Sequence, residues 1–305
     1  MLQKKSNIKD SQNFLHDDRL VSLLINKSSI EKEDVVYEIG SGKGIITKAL
    51  AISCKKVISI EFDAQLAQKL KHKFKNTPNV EIVCADFLQY NIAENFKYKF
   101  FSNIPFNITA DIMSKVLALD GVQDIYFIMQ YEAFIKHSGM PYYHECLKSL
   151  MYKPFFEAEL VHEFTPTDFI PVPEARIVFA RFTPKKEPDL YTSDAGMYRD
   201  FIAYLFTAHG QNIKDKSKKI FSYEQLKRAS KNIGFSLECA VGALKYQHWL
   251  ALFDVYMKFV PADKKILLDG AYNRLLNEQG RLNKEHKNRK RNGGSARCYG
   301  KRKFE

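Results

Sequence analysis

The alternation of short apolar runs and helical stretches between residues 35 and 135 is the feature that most limits how this chain can fold. Five runs rich in β-branched and aromatic residues are typical of buried strands: residues 35–39, 57–60, 80–85, 98–102 and 124–129. Stretches with helical periodicity separate most of them. Strand and helix alternating at this spacing predict an α/β protein with a parallel, doubly wound, Rossmann-like sheet.

The pattern changes after residue 150. Residues 157–164 and 177–182 are predicted to form an antiparallel pair that completes the sheet, and residues 184–188 to form a linker. Residues 194–260 are predicted to form a small helical domain with Trp249 as a core anchor. We therefore expect domains over residues 1–183 and 189–270, followed by a basic tail over 271–305 that is too charged to fold alone.

The charge distribution indicates a polyanionic partner. The formal net charge is +12, and residues 281–305 contain ten Lys and Arg against two Glu, a net charge of +8. A basic protein with a basic tail is typical of nucleic-acid binding. A solvated tail that serves solubility is the alternative.

Composition argues against several other classes. The five cysteines are scattered without a Cys-x-x-Cys pair, so neither a disulfide framework nor a zinc site is indicated. No apolar run approaches the ~18 residues that span a bilayer, and the N-terminus lacks the apolar core of a signal peptide. A reduced, cytoplasmic protein without a metal is the simplest interpretation.

A glycine loop follows the first strand. Gly40, Gly42 and Gly44 alternate with other residues, which predicts a backbone that approaches a ligand closely and turns into a helix whose N-terminus favours an anionic group. The spacing matches neither the phosphate-binding P-loop nor the dinucleotide fingerprint. A nicotinamide-dependent oxidoreductase stays open, because Glu61 lies about 20 residues further on.

Polar side chains end three successive strands. Glu61 follows the second strand, Asp86 the third and Asn103 the fourth. A carboxylate at such a place is often only a helix cap. The carboxyl ends of parallel strands share one edge of the sheet, so these three side chains are expected to line one crevice with the glycine loop.

The combination of motifs resembles the ribosomal RNA adenine N6-dimethyltransferase family. The resemblance rests on Gln12-Asn13-Phe14-Leu15, Glu38-x-Gly40-x-Gly42-x-Gly44, Glu61, Asp86, Asn103-Ile104-Pro105-Phe106 and Phe169-x-Pro171-x-Pro173, in this order over residues 10–260. Ile104 and the short helical domain are most similar to the erythromycin-resistance (Erm) branch. Residues 174–176, Glu-Ala-Arg, depart from the family's usual small or aliphatic run.

The resemblance implies S-adenosylmethionine as the cofactor. Asn13, Leu15 and the glycine loop (Gly40, Gly42 and Gly44) would cover it, with Gly40 at its methionine part. Glu61 would contact its ribose, and Asp86 its adenine. Asn103 would serve both the cofactor and the reacting amine.

The same resemblance implies a substrate adenine in structured RNA. The side-chain oxygen of Asn103 and the carbonyl of Ile104 would accept the two hydrogens of the N6 amine, with Pro105 stiffening the loop. Phe106 would stack on the base and Phe169 would form a second wall. Lysines of the linker and helical domain, Lys214 and Lys218 among them, and basic residues of the tail would contact phosphates.

We therefore predict a monomeric, cytoplasmic adenine methyltransferase of 23S ribosomal RNA that confers macrolide, lincosamide and streptogramin B resistance. A small-subunit dimethyltransferase of ribosome assembly and a non-catalytic RNA-binding factor on the same fold are the alternatives.

Overall fold

The predicted alternation becomes a seven-stranded sheet in the computed structural model, which describes residues 13–92 and 96–281. The described strands are β1 (Phe14–Leu15), β2 (Val35–Ile39), β3 (Lys56–Glu61), β4 (Val80–Cys84), β5 (Tyr98–Asn103), β6 (Val122–Gln130), β7 (Phe156–Glu163), β8 (Phe169–Ile170) and β9 (Ile177–Pro184). Of these, β1 and β8 form a separate two-stranded sheet. The sheet order is β4-β3-β2-β5-β6-β9-β7. The first five strands of this sheet are parallel, and β9 and β7 add the predicted antiparallel pair.

The described helices divide evenly between the two halves of the chain. They are α1 (Asp18–Asn26), α2 (Ile45–Ser53), α3 (Ala64–Lys73), α4 (Thr109–Val116), α5 (Tyr131–Ser138), α6 (Leu147–Tyr152), α7 (Ala195–Thr207), α8 (Ile213–Ser217), α9 (Tyr223–Ile233), α10 (Tyr246–Phe259), α11 (Ala262–Lys265) and α12 (Ala271–Arg281). No helix among the described residues is long and apolar enough to cross a membrane.

Both faces of the sheet are buried, which explains why its strands have nearly continuous apolar sequences. Side chains alternate between the two faces along each strand. In β5, Phe100 belongs to the apolar cluster on one face and Phe101 to the cluster on the other. Phe127 and Tyr126 of β6 divide in the same way.

The strand order reverses between β2 and β5, and this reversal positions the site. The chain runs outward from β2 to β3 and β4, then returns to β5 on the other side of β2. In open α/β sheets, ligands bind in the crevice at the carboxyl ends of the strands where the order reverses. Gly40 follows β2 and Asn103 ends β5, so both lie at this crevice.

The helical half has an apolar core of its own around Trp249, which is fully buried as predicted. Leu150 of α6 belongs to the same cluster, so the helical half packs against the sheet half through α6. Within the helical half, the hydroxyl of Tyr246 donates to Asp189 at 2.7 Å.

The prediction of an unfolded tail from residue 271 is wrong for residues 271–281. These residues form α12, which packs through Ala271, Tyr272 and Leu275 against Met151 and Ala203. The Asp200 carboxylate accepts hydrogen bonds from the backbone N–H groups of Gly270 and Tyr272 at the start of α12. The helical spacing of apolar side chains was concealed by the surrounding charges. Residues 282–305 lie outside the described part of the chain.

Candidate active site

A cavity of about 160 Å³ lies at the carboxyl ends of β2, β3 and β4. Its polar lining includes Glu61 and Asp86, and Phe62, Phe87 and Leu88 contribute apolar walls. A smaller cavity of about 30 Å³ lies beside Asn103 and is also lined by Asn13 and Phe106. Gly40 and Pro105 line both cavities, so the two spaces adjoin at the crevice.

Glu61 is held rigidly at the end of β3. Only 2% of the residue is exposed. Its Oε2 accepts the N–H of Gly42 at 2.9 Å, and its Oε1 accepts the N–H of Asp63 at 3.0 Å. Each carboxylate oxygen has a second lone pair, so the group keeps the capacity to accept hydroxyl donors from a ligand.

Asp86 lies across the cavity, on a loop that Lys115 holds in place. The Asp86 carboxylate accepts the N–H of Leu88 at 2.9 Å. From α4, the ammonium of Lys115 donates to the carbonyls of Phe87, Leu88 and Tyr90 at 2.6, 3.2 and 2.5 Å. Partial burial lowers the pKa of Lys115. Sequence reasoning missed this lysine, because nothing in the chain order connects α4 with the loop after β4.

The side chain of Asn103 has a fixed orientation. Its Nδ2 donates to the backbone carbonyl of Asn13 at 2.7 Å. A carbonyl can only accept a hydrogen bond, so the amide nitrogen must face Asn13 and the oxygen Oδ1 must face the other way. Asn103 is only half-buried and lines the small cavity. The site therefore presents an oriented amide oxygen at the end of β5.

The next three residues support that arrangement. Ile104 is buried and its N–H donates to the carbonyl of Ile128 at 3.2 Å, which ties the loop to β6. Pro105 has a φ of −62° and precedes a single 3₁₀ turn over Phe106–Ile108. Phe106 is half-buried and lines the small cavity.

The three glycines have different roles, and of the three only Gly40 lines the cavities. A Cβ on Gly42 would lie 2.6 Å from Cε1 of Phe14, and one on Gly44 would lie 2.7 Å from Cδ2 of Leu70. The space that these two glycines leave is thus filled by the protein's own side chains. Neither Gly42 nor Gly44 lines the larger cavity, so their contact with the cofactor stays a prediction, whereas the N–H of Gly42 does position Glu61.

Leu15 and Phe169 are also placed differently from the prediction. They pair with each other in a two-stranded antiparallel sheet formed by β1 and β8. Leu15 is buried and lines a different cavity, and Phe169 is 1% exposed, with its ring packed edge-on against Phe164. The prediction that Phe169 forms a second wall beside the target base does not fit this placement, because its ring belongs to the core.

The predicted phosphate-binding lysines lie in the helical half, and some are already engaged. Lys214 forms an ion pair with Glu238 at 3.2 Å, which raises its pKa. Lys216 donates to the carbonyls of Phe206 and Ala208. Lys218 is exposed beside Lys219. None of these lysines lines the two cavities at the strand ends.

Glu38 lies beneath the glycine loop as a buried acid. Its Oε2 accepts the hydroxyl of Thr47 at 2.6 Å, and the residue is 1% exposed. Burial raises the pKa of Glu38 to about 7, assisted by the nearby charge of Glu61 and opposed by hydrogen bonds from Thr47 and Ser41. Glu38 is thus hydrogen-bonded both to Ser41 of the glycine loop and to Thr47 of α2. No group of three or more His, Cys, Asp and Glu side chains in residues 13–92 and 96–281 could hold a metal ion.

A family model described as ribosomal RNA adenine dimethylase matches residues 3–258. An rRNA adenine N-6-methyltransferase of Bacteroides fragilis is 29% identical over 265 residues, which cover 86% of this chain and 98% of the relative.

Two further comparisons represent different branches. The probable ribosomal RNA small subunit methyltransferase A of Methanococcus aeolicus is 35% identical over 214 residues, covering 69% of this chain and 78% of the relative. Among solved structures, the 23S rRNA methyltransferase ErmE superposes with a TM-score of 0.73 at 27% identity, over 81% of this chain and 100% of that one.

Proposed function

Because the chain belongs to the ribosomal RNA adenine dimethylase family and is an S-adenosylmethionine-dependent adenine N6-methyltransferase, we propose that its substrate is a specific adenine of 23S ribosomal RNA. The observation that supports methylation of an adenine amine is the orientation of Asn103, whose Oδ1 is turned away from Asn13. The alternatives of an oxidoreductase and a non-catalytic factor do not fit the family.

The larger cavity fits the cofactor chemically. Glu61 offers acceptor oxygens suited to ribose hydroxyls, and Asp86 offers one suited to an adenine amine. Phe62, Phe87 and Leu88 provide apolar surface for the adenine ring. Gly40 leaves room where the two cavities meet, and Asn13 and Asn103 line the smaller cavity beyond it. When bound, S-adenosylmethionine supplies an activated methyl group on a sulfonium.

The protein's own contribution is to prepare the amine. The N6 lone pair of adenine is delocalised into the ring, so the nitrogen is a poor nucleophile. Asn103 Oδ1 and the Ile104 carbonyl each accept one amine hydrogen, which favours a tetrahedral nitrogen with a localised lone pair. Phe106 stacks on the base and holds it near the methyl donor. The base must leave its stack to reach this place, which favours a loop or a bulge as the substrate.

One comparison supports a large-subunit substrate over a small-subunit one. The similarity to ErmE, named for 23S rRNA, covers 81% of this chain and the whole of that one, whereas the similarity to the small-subunit relative covers 69% of this chain at 35% identity. We expect the resulting methylation to protect ribosomes from macrolides, lincosamides and streptogramin B.

The test is to incubate the protein with S-adenosylmethionine and naked 23S or 16S RNA, and then to map the methylated adenine by primer extension. A single modified adenine in 23S RNA, with raised macrolide tolerance in an expressing strain, is expected. Two adjacent modified adenines in 16S RNA would instead assign the protein to ribosome assembly.

The remaining parts of the proposal concern assembly. We propose that residues 1–183 form the catalytic domain and residues 189–270 a helical domain that contacts RNA. Lys218 and the basic residues after 281 would then contact phosphates without reading sequence. The protein would act as a monomer in the cytoplasm, where its ribosomal RNA is found.

A further inference from the structure

We propose that a basic cavity next to the active site binds a phosphate-bearing nucleotide of the substrate RNA that neighbours the target adenine. The inference rests on the proposed function, because it requires an RNA substrate. The cavity has a volume of about 450 Å³ and lies between β1, the glycine loop and α3. We refer to it as the lysine cavity.

The lysine cavity has an apolar floor and a charged rim. Phe14, Leu15 and Ile45 are half-buried or buried and form the floor, and the side chains of Lys43, Lys48 and Lys73 lie at the rim. An apolar floor suits the face of a base or a ribose, and ammonium groups suit a phosphate. A nucleotide combines these two chemistries.

The rim keeps an excess of positive charge. Lys48 pairs with Asp18 at 3.0 Å, and Asp18 is the one carboxylate among the described residues that line the cavity. The ammonium of Lys73 donates to the carbonyl of Lys43 at 2.8 Å, and that of Lys43 lies 5.1 Å from the centre of the Phe14 ring. A carbonyl and an aromatic ring position these ammonium groups without neutralising them. Each ammonium has three donors, so donors remain for a phosphate.

The position of the lysine cavity favours RNA over an unrelated anion. Phe14 lines both this cavity and the small cavity that contains Asn103. One aromatic ring is therefore the wall between the place proposed for the target adenine and the lysine cavity. An RNA strand whose adenine enters the first space brings an adjoining nucleotide towards the second. Helix α2 also begins at Ile45, within the lining, and its N-terminus favours negative charge.

The experiment compares charge removal inside and outside the lysine cavity. Lys43→Gln, Lys73→Gln and the double variant are measured against Lys71→Gln, which removes an exposed lysine of the same helix α3 that does not line the cavity. The Arg variants at positions 43 and 73 keep the charge and serve as rescue. Binding to a 23S RNA fragment is followed by fluorescence anisotropy from about 50 to about 300 mM salt, the range over which phosphate contacts are lost.

Each lost phosphate contact lowers the slope of log affinity against log salt by about 0.7 to 1. We expect a reduced slope for each cavity variant, the largest reduction for the double variant, and none for Lys71→Gln or the Arg variants. KM for RNA should rise with kcat nearly unchanged, and cofactor affinity measured by calorimetry should not change. An unchanged slope in the double variant, with normal binding by the wild type, overturns this inference alone. A wild type that binds no ribosomal RNA overturns the proposed function as well.

Discussion

Replacing Glu38 by glutamine should change how the stability of this protein depends on pH. Glu38 is fully buried beneath the glycine loop, and its pKa is raised from 4.5 to about 7. The folded state therefore holds this proton over a pH range in which the unfolded chain releases it. Burying the protonated form of Glu38 costs little free energy. Burying the ionised form costs more, because the carboxylate loses its hydration and is repelled by Glu61.

The sign and the magnitude follow from this shift. Because the pKa of Glu38 is higher in the folded state, the contribution of this residue to the free energy of unfolding is fully present below pH 4.5. That contribution is lost as the pH rises to about 7. A pKa difference of about 2.5 at ~1.4 kcal/mol per pKa unit corresponds to a loss of about 3 kcal/mol. The glutamine introduced by Glu38→Gln has no proton to lose, and its amide oxygen can still accept from Thr47. The variant should thus match the wild type near pH 4.5 and exceed it by about 3 kcal/mol at about pH 8.

The assay is urea unfolding of both proteins at half-unit steps from about pH 4.5 to about pH 8, which spans the two pKa values of Glu38. The difference between the proteins removes the contributions of other groups, such as His137, whose pKa burial lowers to about 4. Parallel stability curves for the two proteins would refute the argument that Glu38 is neutral in the fold. In a Glu61→Gln control, the pKa of Glu38 should fall only part of the way towards 4.5, because burial is the main cause of the raised pKa.

Four other changes test the site and its surroundings. Asn103→Ala should lower kcat by a factor of at least ~10² with RNA affinity retained, because one oriented acceptor is lost; turnover near the wild-type rate would contradict this role. Gly42→Ala should destabilise the fold by at least ~1–2 kcal/mol in thermal unfolding, since its φ is +54° and Phe14 must move. Phe169→Ala should cost about 3–5 kcal/mol of stability, whereas a main effect on KM would favour its predicted role as a second wall beside the base. Deleting residues 281–305 should reduce the salt dependence of RNA binding, and an identical slope would exclude the tail as a phosphate contact.

The sheet was predictable because its signal is local. Each buried strand is a short apolar run, and the polar residues Glu61, Asp86 and Asn103 follow directly after such runs. Since parallel strands end at one edge, chain order alone placed these side chains together. The structure confirms the α/β fold and adds that they line adjoining cavities.

The parts that could not be predicted depend on contacts between residues far apart in the chain. Phe14 fills the space above Gly42, and Phe169 pairs with Leu15 across about 150 positions. A motif does not distinguish an aromatic ring that contacts a ligand from one that supports the loop behind it. The Lys115 contacts with the loop after Asp86 were missed for the same reason, since no spacing rule connects them.

The pairing of β1 with β8 has a consequence for when activity can arise during translation. The Asn13 carbonyl that orients Asn103 is adjacent to β1, and the strand that pairs with β1 consists of residues 169–170. A nascent chain that has not yet exposed those residues outside the ribosome lacks the partner strand that positions its N-terminal segment. We expect such a chain to form most of the parallel sheet while the amide oxygen of Asn103 is not yet oriented. Methyl transfer should therefore become possible only while the second half of the polypeptide is being made.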